Sequence, residues 1–529
     1  MKEFIIKHKA KLIFILIMMV AIGVRMYHWP TGITQLNCDE AMTAVNAMTM
    51  AERGTDMYGT TGPVYLEAWR VGGQSVALFY LTAFFMKIFG VSMVTIRLPM
   101  LLISIIGLIV FYDLVKRIFK SKKVALVGLG FLAICPWHIL QSIWAIDCNM
   151  FPHVMLFAVY LLYRGVTGKK WCLYASMIFF GFCMYCYGVS IYVVPLFLLV
   201  TAIYLIRTKK VTIKELILCI LIYVVIALPI FTMYCLNFFK IQRDIHIGPI
   251  TIQFFEGNIR KDDMIFFAEN VGQTFISNVK ELAKTVVFGC DGLEWNATLF
   301  FGTLYHGSLI IFILGIIVLI KEVLGNKKQN EVRSNTDLEY DKTGMIIMTL
   351  WLIFSFILGV IVKSNVNRLN CAWYPMVFFI VLGISKMMNH KKVYYTLLVA
   401  YLTAFIAFSV YLYGVHTNVI DMSSCFSKRY IDAVYAAGDI SKRENKKMYY
   451  YDNRRDMSML LYNIVATKID HTEIESIIES NVAIEKLTRE NSILVIDQKY
   501  IQNNYLFGIL DISNYNQIEF ADYRVLYCK

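Results

Sequence analysis

Runs of roughly 20 mostly apolar residues, the length that crosses a bilayer as a helix, recur through most of this chain, as far as residue 413. Candidates lie at 11–29, 75–90, 96–116, 123–142, 150–163, 171–187, 188–206, 214–236, 303–321, 343–362, 371–387 and 392–413. Composition agrees with that reading. Of 529 residues, 58% are hydrophobic and 17% charged, whereas a soluble domain is about 45–50% apolar. The chain reads as an α-helical polytopic membrane protein.

Segment 75–90 decides the topology, because it is short and carries Lys87. Lys and Arg in short loops stay on the cytoplasmic side. If 75–90 lies along the membrane surface, the N-terminus and the loops 116–123, 164–170, 207–214, 321–342 and 386–392 share one side. Those loops hold 5, 3, 4, 5 and 3 Lys/Arg, with 4 more in residues 1–11. The opposite short loops, 143–149, 187–190 and 363–370, hold only Lys363 and Arg368. This asymmetry predicts eleven spans, with the N-terminus cytoplasmic and the C-terminus outside. It also accounts for the net charge of +13 as topology signal, so no nucleic-acid partner is expected. Seven of the twelve cysteines (Cys135, Cys172, Cys183, Cys186, Cys219, Cys235 and Cys371) lie in apolar runs without metal or disulfide spacings. They read as small core residues. No small-residue cleavage site follows the first run, which continues as Val24-Arg25-Met26-Tyr27.

Two long loops, 30–95 and 237–302, the short loop 143–149 and the tail from about 416 then fall outside. The predicted division is a transmembrane domain over 1–415 and a small extracytoplasmic α/β domain over 416–529. In the tail, "MYYYD" and "SILVID" read as strands and 426–440 and 472–490 as helical. Residues 322–342 read as a polar cytoplasmic linker.

The acids worth weighing are external. Asn37-Cys38-Asp39-Glu40 fits an N-cap followed by Glu at the third helical position, and Glu52-Arg53-Gly54 fits its close. This predicts a surface helix in which Glu40 serves the cap. Neighbours on a helix point about 100° apart, so Asp39 is placed to face a substrate, and a helix start favours its charged form, as a base requires. Asp147, in "QSIWAIDCNMFP", lies in a tight external turn with no basic neighbour in sequence. An ionisable residue at such a membrane edge is a functional candidate. Asp39 and Asp147 together are expected to form a paired-carboxylate site.

An anionic substrate needs cations. "VKSNVNRLNCAWYP" sets Lys363 and Arg368 in a short external turn among Asn365, Asn367 and Asn370. Guanidinium matches phosphate oxygens in a bidentate way, which marks Arg368, with Lys363 and Asn367, as phosphate binders. Arg25 and Arg260, the latter in "GNIRKDD", are weaker candidates of the same kind. "CDGLEWNATLFFGTLYHG" gathers Asp291, Glu294, Trp295, Asn296 and His306 at the mouth of a span, and suits acceptor binding. Aromatic clusters such as "MYCYGVSIYVV" read first as an interfacial belt and second as the lining of a groove for a long lipid.

Taken in order, "NCDEAMTAVNAMTM", "GGQSVALFYLTAFFMKIFGVSMVTIRLPMLL", "IWAIDCNMFPHVMLFAVYLL", "DGLEWNATLFFGTLY" and "NVNRLNCAWYPMVFFIVLGI" carry a resemblance. Over roughly residues 11–413 the chain resembles the C-type (GT-C) integral-membrane glycosyltransferases of the protein O-mannosyltransferase and aminoarabinose-transferase lineage, that is, glycosyltransferase family 39 and its bacterial relatives. The resemblance implies membrane-surface helices in the first external loop. It also implies transfer of a sugar from a polyprenyl-phosphate carrier to a protein, lipid or wall-polymer acceptor outside the membrane. Asp39 matches the catalytic aspartate, Glu40 its adjacent acid, Asp147 the acid of the next external loop, and Arg368 the basic residue brought towards the carrier phosphate. There is one departure. Where the aminoarabinose branch has a Lys-Pro-Pro run, this chain has Gly72-Gly73-Gln74-Ser75.

The expected reaction is a direct, inverting displacement. Asp39 takes the acceptor's proton, and Arg368 with Lys363 stabilises the departing phosphate. No cofactor is required for it, and a divalent ion between Asp39 and Asp147 is left open. Low proline and ordinary cysteine usage fit a bacterial plasma membrane, among whose lipids the chain works. A transporter or flippase of lipid-linked sugars, or an inactive scaffold relative, is the competing expectation. Transporters place polar sites at the bilayer midplane, whereas these acids lie in external loops.

Overall fold

The computed structural model describes residues 2–30, 36–68, 72–255, 264–324, 339–417, 428–451, 474–477, 480–498, 511–520 and 523–529. In chain order its elements begin with α1 (Lys2–Met26), α2 (Cys38–Arg53), the hairpin strands β1 (Leu66–Ala68) and β2 (Gly72–Gln74), α3 (Val76–Phe89) and α4 (Met93–Ile118). Next come α5 (Lys122–Ile134), α6 (Pro136–Ile143), α7 (Asp147–Thr167), α8 (Lys170–Cys183), α9 (Ser190–Arg207) and α10 (Ile213–Phe238). A second hairpin, β3 (Ile245–Ile247) and β4 (Ile250–Ile252), leads to α11 (Val271–Phe288), α12 (Ser308–Val318), α13 (Lys342–Ile361), α14 (Asn370–Met387) and α15 (Lys391–Tyr411). The C-terminal part holds α16 (Lys428–Glu444), β5 (Met448–Tyr451), β6 (Ile474–Ile477), α17 (Ser480–Arg489), β7 (Ile493–Asp497), β8 (Tyr515–Glu519) and β9 (Tyr523–Cys528).

The chain divides into two compact units. One comprises Met1–Trp29, Thr60–Leu78 and Arg97–His416; the other comprises Pro30–Gly59, Phe79–Ile96 and Thr417–Lys529. This differs from the expected division at 415/416 in grouping residues 30–59 and 79–96 with the C-terminal residues.

In the first unit, seven described helices are long and apolar enough to cross a membrane, or eight if the bent pair α5–α6 is one span. The eleven expected stretches all fall on helices, but α8 and Ser308–Lys321 are shorter than a full crossing, and α1 is not among the seven. Exposed surface on α10 and α15 is apolar, including Ile217, Leu221, Val225, Val399, Ile406 and Val410. Apolar surface of that extent belongs in lipid rather than water, and the chain is a multi-pass membrane protein. By contrast α14 is buried from Asn370 to Ser385, as a helix hydrophobic all round must be. Its backbone approaches α12 closely: a Cβ on Gly315 would lie 2.0 Å from the Phe379 carbonyl oxygen. Only a small residue permits that approach.

The expected span 123–142 is two helices bent by 56°. Pro136 has no N–H to give and biases Cys135 to extended backbone (φ −67°, ψ 123°). Carbonyls freed at the break are taken up by side chains. Arg25 Nη1 donates to Ala133 O (3.0 Å) and Ala21 O (2.8 Å), and Tyr305 Oη donates to Ile134 O (2.7 Å). Arg25 Nη2 lies 2.7 Å from His138 Nδ1. Since guanidinium only donates, His138 Nδ1 accepts and its Nε2–H donates to Tyr374 Oη (3.1 Å), which donates on to His153 Nδ1 (2.8 Å). Arg25, expected as a phosphate binder, is instead 1% exposed and engaged in sealing this break. Its buried charge is met by those backbone carbonyls and by His138 Nδ1.

In the second unit, α2 was expected as a surface helix, but it is buried along Glu40–Ala47. Ala41, Thr43, Ala44 and Ala47 are the small side chains of that buried run. The C-terminal residues form a five-stranded sheet in the order β6-β5-β7-β9-β8, parallel across β6, β5 and β7 and antiparallel from β7 to β8. Strand β7 is buried throughout, as a central strand covered on both faces must be. Tyr449, Leu487, Leu494, Ile496 and Leu526 form its core. The stretch 472–490, expected as helix, is a strand followed by a shorter helix: Ile474–Ile477 pairs with β5 before α17 begins. Sheet pairing overrides local helical propensity there.

Candidate active site

At the start of α2, Asn37 sits in extended backbone as N-cap and its side chain accepts from Asp39 N (2.9 Å), while Glu40 Oε2 accepts from Asn37 N (2.8 Å). This is the reciprocal capping box the spacing predicts, and Gly54, at φ +76°, closes the helix. Glu40 is fully buried in that box, which gives it a structural task. Asp39, by contrast, is partly exposed, and its carbonyl accepts from Thr43 Oγ1 (2.9 Å).

Asp147 is the first residue of α7, where the N-cap Ile146 offers no side-chain acceptor. Its own carboxylate fills that place. Oδ1 accepts from Cys148 N (2.7 Å) and Oδ2 from Ser75 N (3.1 Å), where the chain leaves β2 for α3. Two backbone N–H groups and a helix N-terminus therefore hold a nearly buried acid. The approach of β2 depends on Gly73: a Cβ there would lie 1.7 Å from the Tyr65 ring. Ser75 Oγ is buried beside this site with no hydrogen-bond partner among the described residues. Gly72-Gly73-Gln74-Ser75 was visible in sequence as a departure, yet nothing in its composition announced that it would grip Asp147.

Three inter-helix loops of the first unit are fastened to one another around Asp147. Asn370 Nδ2 donates to Cys148 O (3.0 Å) and Asn149 Oδ1 (3.1 Å), and Asn370 Oδ1 accepts from Trp137 Nε1 (2.8 Å). Trp144 Nε1 donates to Trp295 O (2.9 Å), with the buried Arg97 guanidinium 5.3 Å from the Trp144 ring centre. Asp291 accepts from Leu293 N (3.0 Å), Asn296 Nδ2 (2.9 Å) and Val366 N (2.9 Å), tying 290–296 to the turn that carries Arg368. Asp291 and Asn296, expected to bind acceptor, thus build the loop itself. In that turn Arg368 N donates to Asn365 Oδ1 (2.7 Å) and Arg368 Nη1 to Lys363 O (2.9 Å), and Asn367 gives its carbonyl to Asn370 N (3.2 Å). His306 is exposed, with Nε2 3.2 Å from Leu299 O. Nearby, burial and then the charge of Asp291 raise the Glu294 carboxyl above its ordinary range. Arg260 lies outside the described residues.

Beside the Tyr65 ring, Tyr234 turns into an apolar groove of about 440 Å³ lined by Tyr192, Phe231, Phe238, Phe239, Phe266 and Phe267 among others. Cys235, expected as core, is exposed and lines it. The other six cysteines of the apolar runs are buried. Among the described residues, no cluster of three or more His, Cys, Asp or Glu side chains is arranged to hold a metal ion.

Solved structures similar to this chain include ArnT from Cupriavidus metallidurans bound to undecaprenyl phosphate, with TM-score 0.57 at 13% identity over 97% of both chains. The Archaeoglobus fulgidus oligosaccharyltransferase tethered to an acceptor peptide containing the NVT sequon is also similar, with TM-score 0.53 at 11% identity over 94% of this chain and 70% of that one. No curated protein sequence matches. The architecture is therefore that of the GT-C integral-membrane glycosyltransferases. Within it, residues 74–234, which include Ser75, Asp147 and Tyr234, match the model of the dolichyl-phosphate-mannose-protein mannosyltransferase family.

Proposed function

We propose that this protein transfers a sugar from a polyprenyl-phosphate donor to an acceptor on the outer face of a bacterial plasma membrane, with its N-terminus in the cytoplasm. The observation that carries the reading is Asp147. It is an acid fixed by Ser75 N and Cys148 N inside the segment that matches the mannosyltransferase family. The matched ArnT structure carries undecaprenyl phosphate, and the aromatic groove beside Tyr234 offers a polyprenyl chain an apolar bed.

In the proposed step, the acceptor's nucleophilic oxygen attacks the anomeric carbon as its proton passes to Asp39, and the bond from that carbon to the phosphate oxygen breaks. The configuration inverts and polyprenyl phosphate leaves, its new charge met by Arg368 with Lys363. Asp147, immobile on its two N–H donors, orients the sugar hydroxyls. The step needs no cofactor. Chelation tests the open alternative of a divalent ion, and a loss of transfer restored by added Mg2+ would replace the metal-free scheme.

The reaction is tested by giving the purified protein a polyprenyl-phosphate sugar of defined anomeric configuration and bacterial membrane extract. The expected result is free polyprenyl phosphate formed in step with a glycosylated acceptor of opposite configuration. Movement of intact donor across vesicles without release of carrier would favour a flippase instead.

A further inference from the structure

The first unit holds a second apolar groove. It is a cavity of about 830 Å³ bounded by α1, α5 and α15, with Leu16, Ile17, Leu126, Phe131, Leu398 and Leu402 among its walls. Its charged lining is Lys9 from α1 and Lys122 and Lys123 from the first turn of α5, and the Tyr401 hydroxyl further along α15 is bonded to Ser308 (2.9 Å). No acidic side chain lines it, and none of the three lysines has a carboxylate partner among the described residues. Lys123 Nζ lies 5.9 Å from the Tyr394 ring centre, bringing the first turns of α5 and α15 together. Both helices thus point their N-termini, with their partial positive charge, towards the same place as the lysines.

We infer that this groove is a binding site for an anionic phospholipid, whose phosphate sits among Lys9, Lys122 and Lys123 and whose acyl chains lie along α5 between α1 and α15. Length supports it. The thirteen residues of α5 rise roughly 18 Å, close to the roughly 15 Å of hydrocarbon in one leaflet. Charge supports it as well, since unpaired lysines at the mouth of an apolar slot between spanning helices match an anionic headgroup. Under the topology proposed above, the leaflet is the cytoplasmic one; the site itself does not depend on sugar transfer. Gly130 forms part of the floor, where a Cβ would meet only Ile17 Cδ1 at 3.8 Å, so the backbone is left open to an acyl chain.

Native mass spectrometry of the full-length protein in mild detergent tests this, with phosphatidylglycerol and phosphatidylcholine of identical chains as probes. The expected result is one phosphatidylglycerol retained with at least about tenfold preference. That preference should fall to within about twofold in 0.5 M salt and in Lys9→Gln/Lys122→Gln/Lys123→Gln. Arg207→Gln/Lys209→Gln/Lys210→Gln, in another basic loop, should leave it unchanged. Gly130→Phe fills the floor and should expel the lipid while the lipid-free protein melts as the wild type does. Equal retention of the two lipids by the wild type would overturn the inference, as would a preference that survives loss of the three lysines. Retention of undecaprenyl phosphate but not phosphatidylglycerol would also overturn it, by making the carrier the occupant.

Discussion

At the start of α2 the helix is capped by Asn37 and Glu40, and Asp39 between them gives the cap its backbone N–H but not its side chain. At the start of α7 no capping side chain precedes the helix, and Asp147 itself accepts from Cys148 N and, across the chain, from Ser75 N. Two acids in equivalent first-turn positions are therefore held by different means. One stands in a helix start whose capping bonds are made by its neighbours' side chains. The other serves the fold and any chemistry with the same oxygens.

The sharpest way to break this contrast is to remove each acid and read transfer and stability together. Asp39→Ala should lower transfer by about 10²–10⁴-fold, the usual worth of a general base, while thermal unfolding in detergent moves by less than about 1 kcal/mol. Asp147→Ala should lower both, because two backbone N–H groups lose their acceptor, at roughly 1–3 kcal/mol. Equal stability losses in the two variants would erase the distinction. Arg368→Gln should reduce kcat/KM for the lipid donor by roughly 10–100-fold, the range for a charge-assisted hydrogen bond. Arg368→Lys should recover only part of that loss in the same steady-state assay, because the bidentate fork is gone. Asp291→Ala should cost roughly 1–3 kcal/mol by freeing Leu293 N, Asn296 Nδ2 and Val366 N, seen as a lower melting temperature. Smallest of all is Glu40. Glu40→Gln keeps the box and should leave transfer and melting unchanged, whereas Glu40→Ala should cost about 1 kcal/mol in the same melt.

The local features of these sites were legible in sequence. The Asn37–Glu40 spacing, the Gly54 close and the apolar stretches all depend on residues a few positions apart; α2 has the expected ends, and the apolar stretches fall on helices. What sequence left hidden depends on distant partners. Arg25 reads as an exposed cation beside a span, because nothing local reveals that Ala133 and His138 lie against it. Pro136 signals a break, but the apolar run continues across it and conceals two helices. Asn370 looks like one of several asparagines in a turn, and only its contacts with Cys148 and Asn149 show that it holds the Asp147 loop. Ser75 acts through its backbone N–H, which no side-chain pattern can report.

The proposed transfer of sugar off a lipid phosphate stands or falls with Asp39 as base. It is tested most directly by incubating wild type and Asp39→Ala with radiolabelled polyprenyl-phosphate sugar and membrane extract, then following the label out of the lipid fraction. The wild type should pass label to an acceptor, while Asp39→Ala, equally abundant and equally stable, should leave it on the carrier. Label that never leaves the carrier with wild type, or that leaves at the same rate with Asp39→Ala, would contradict it.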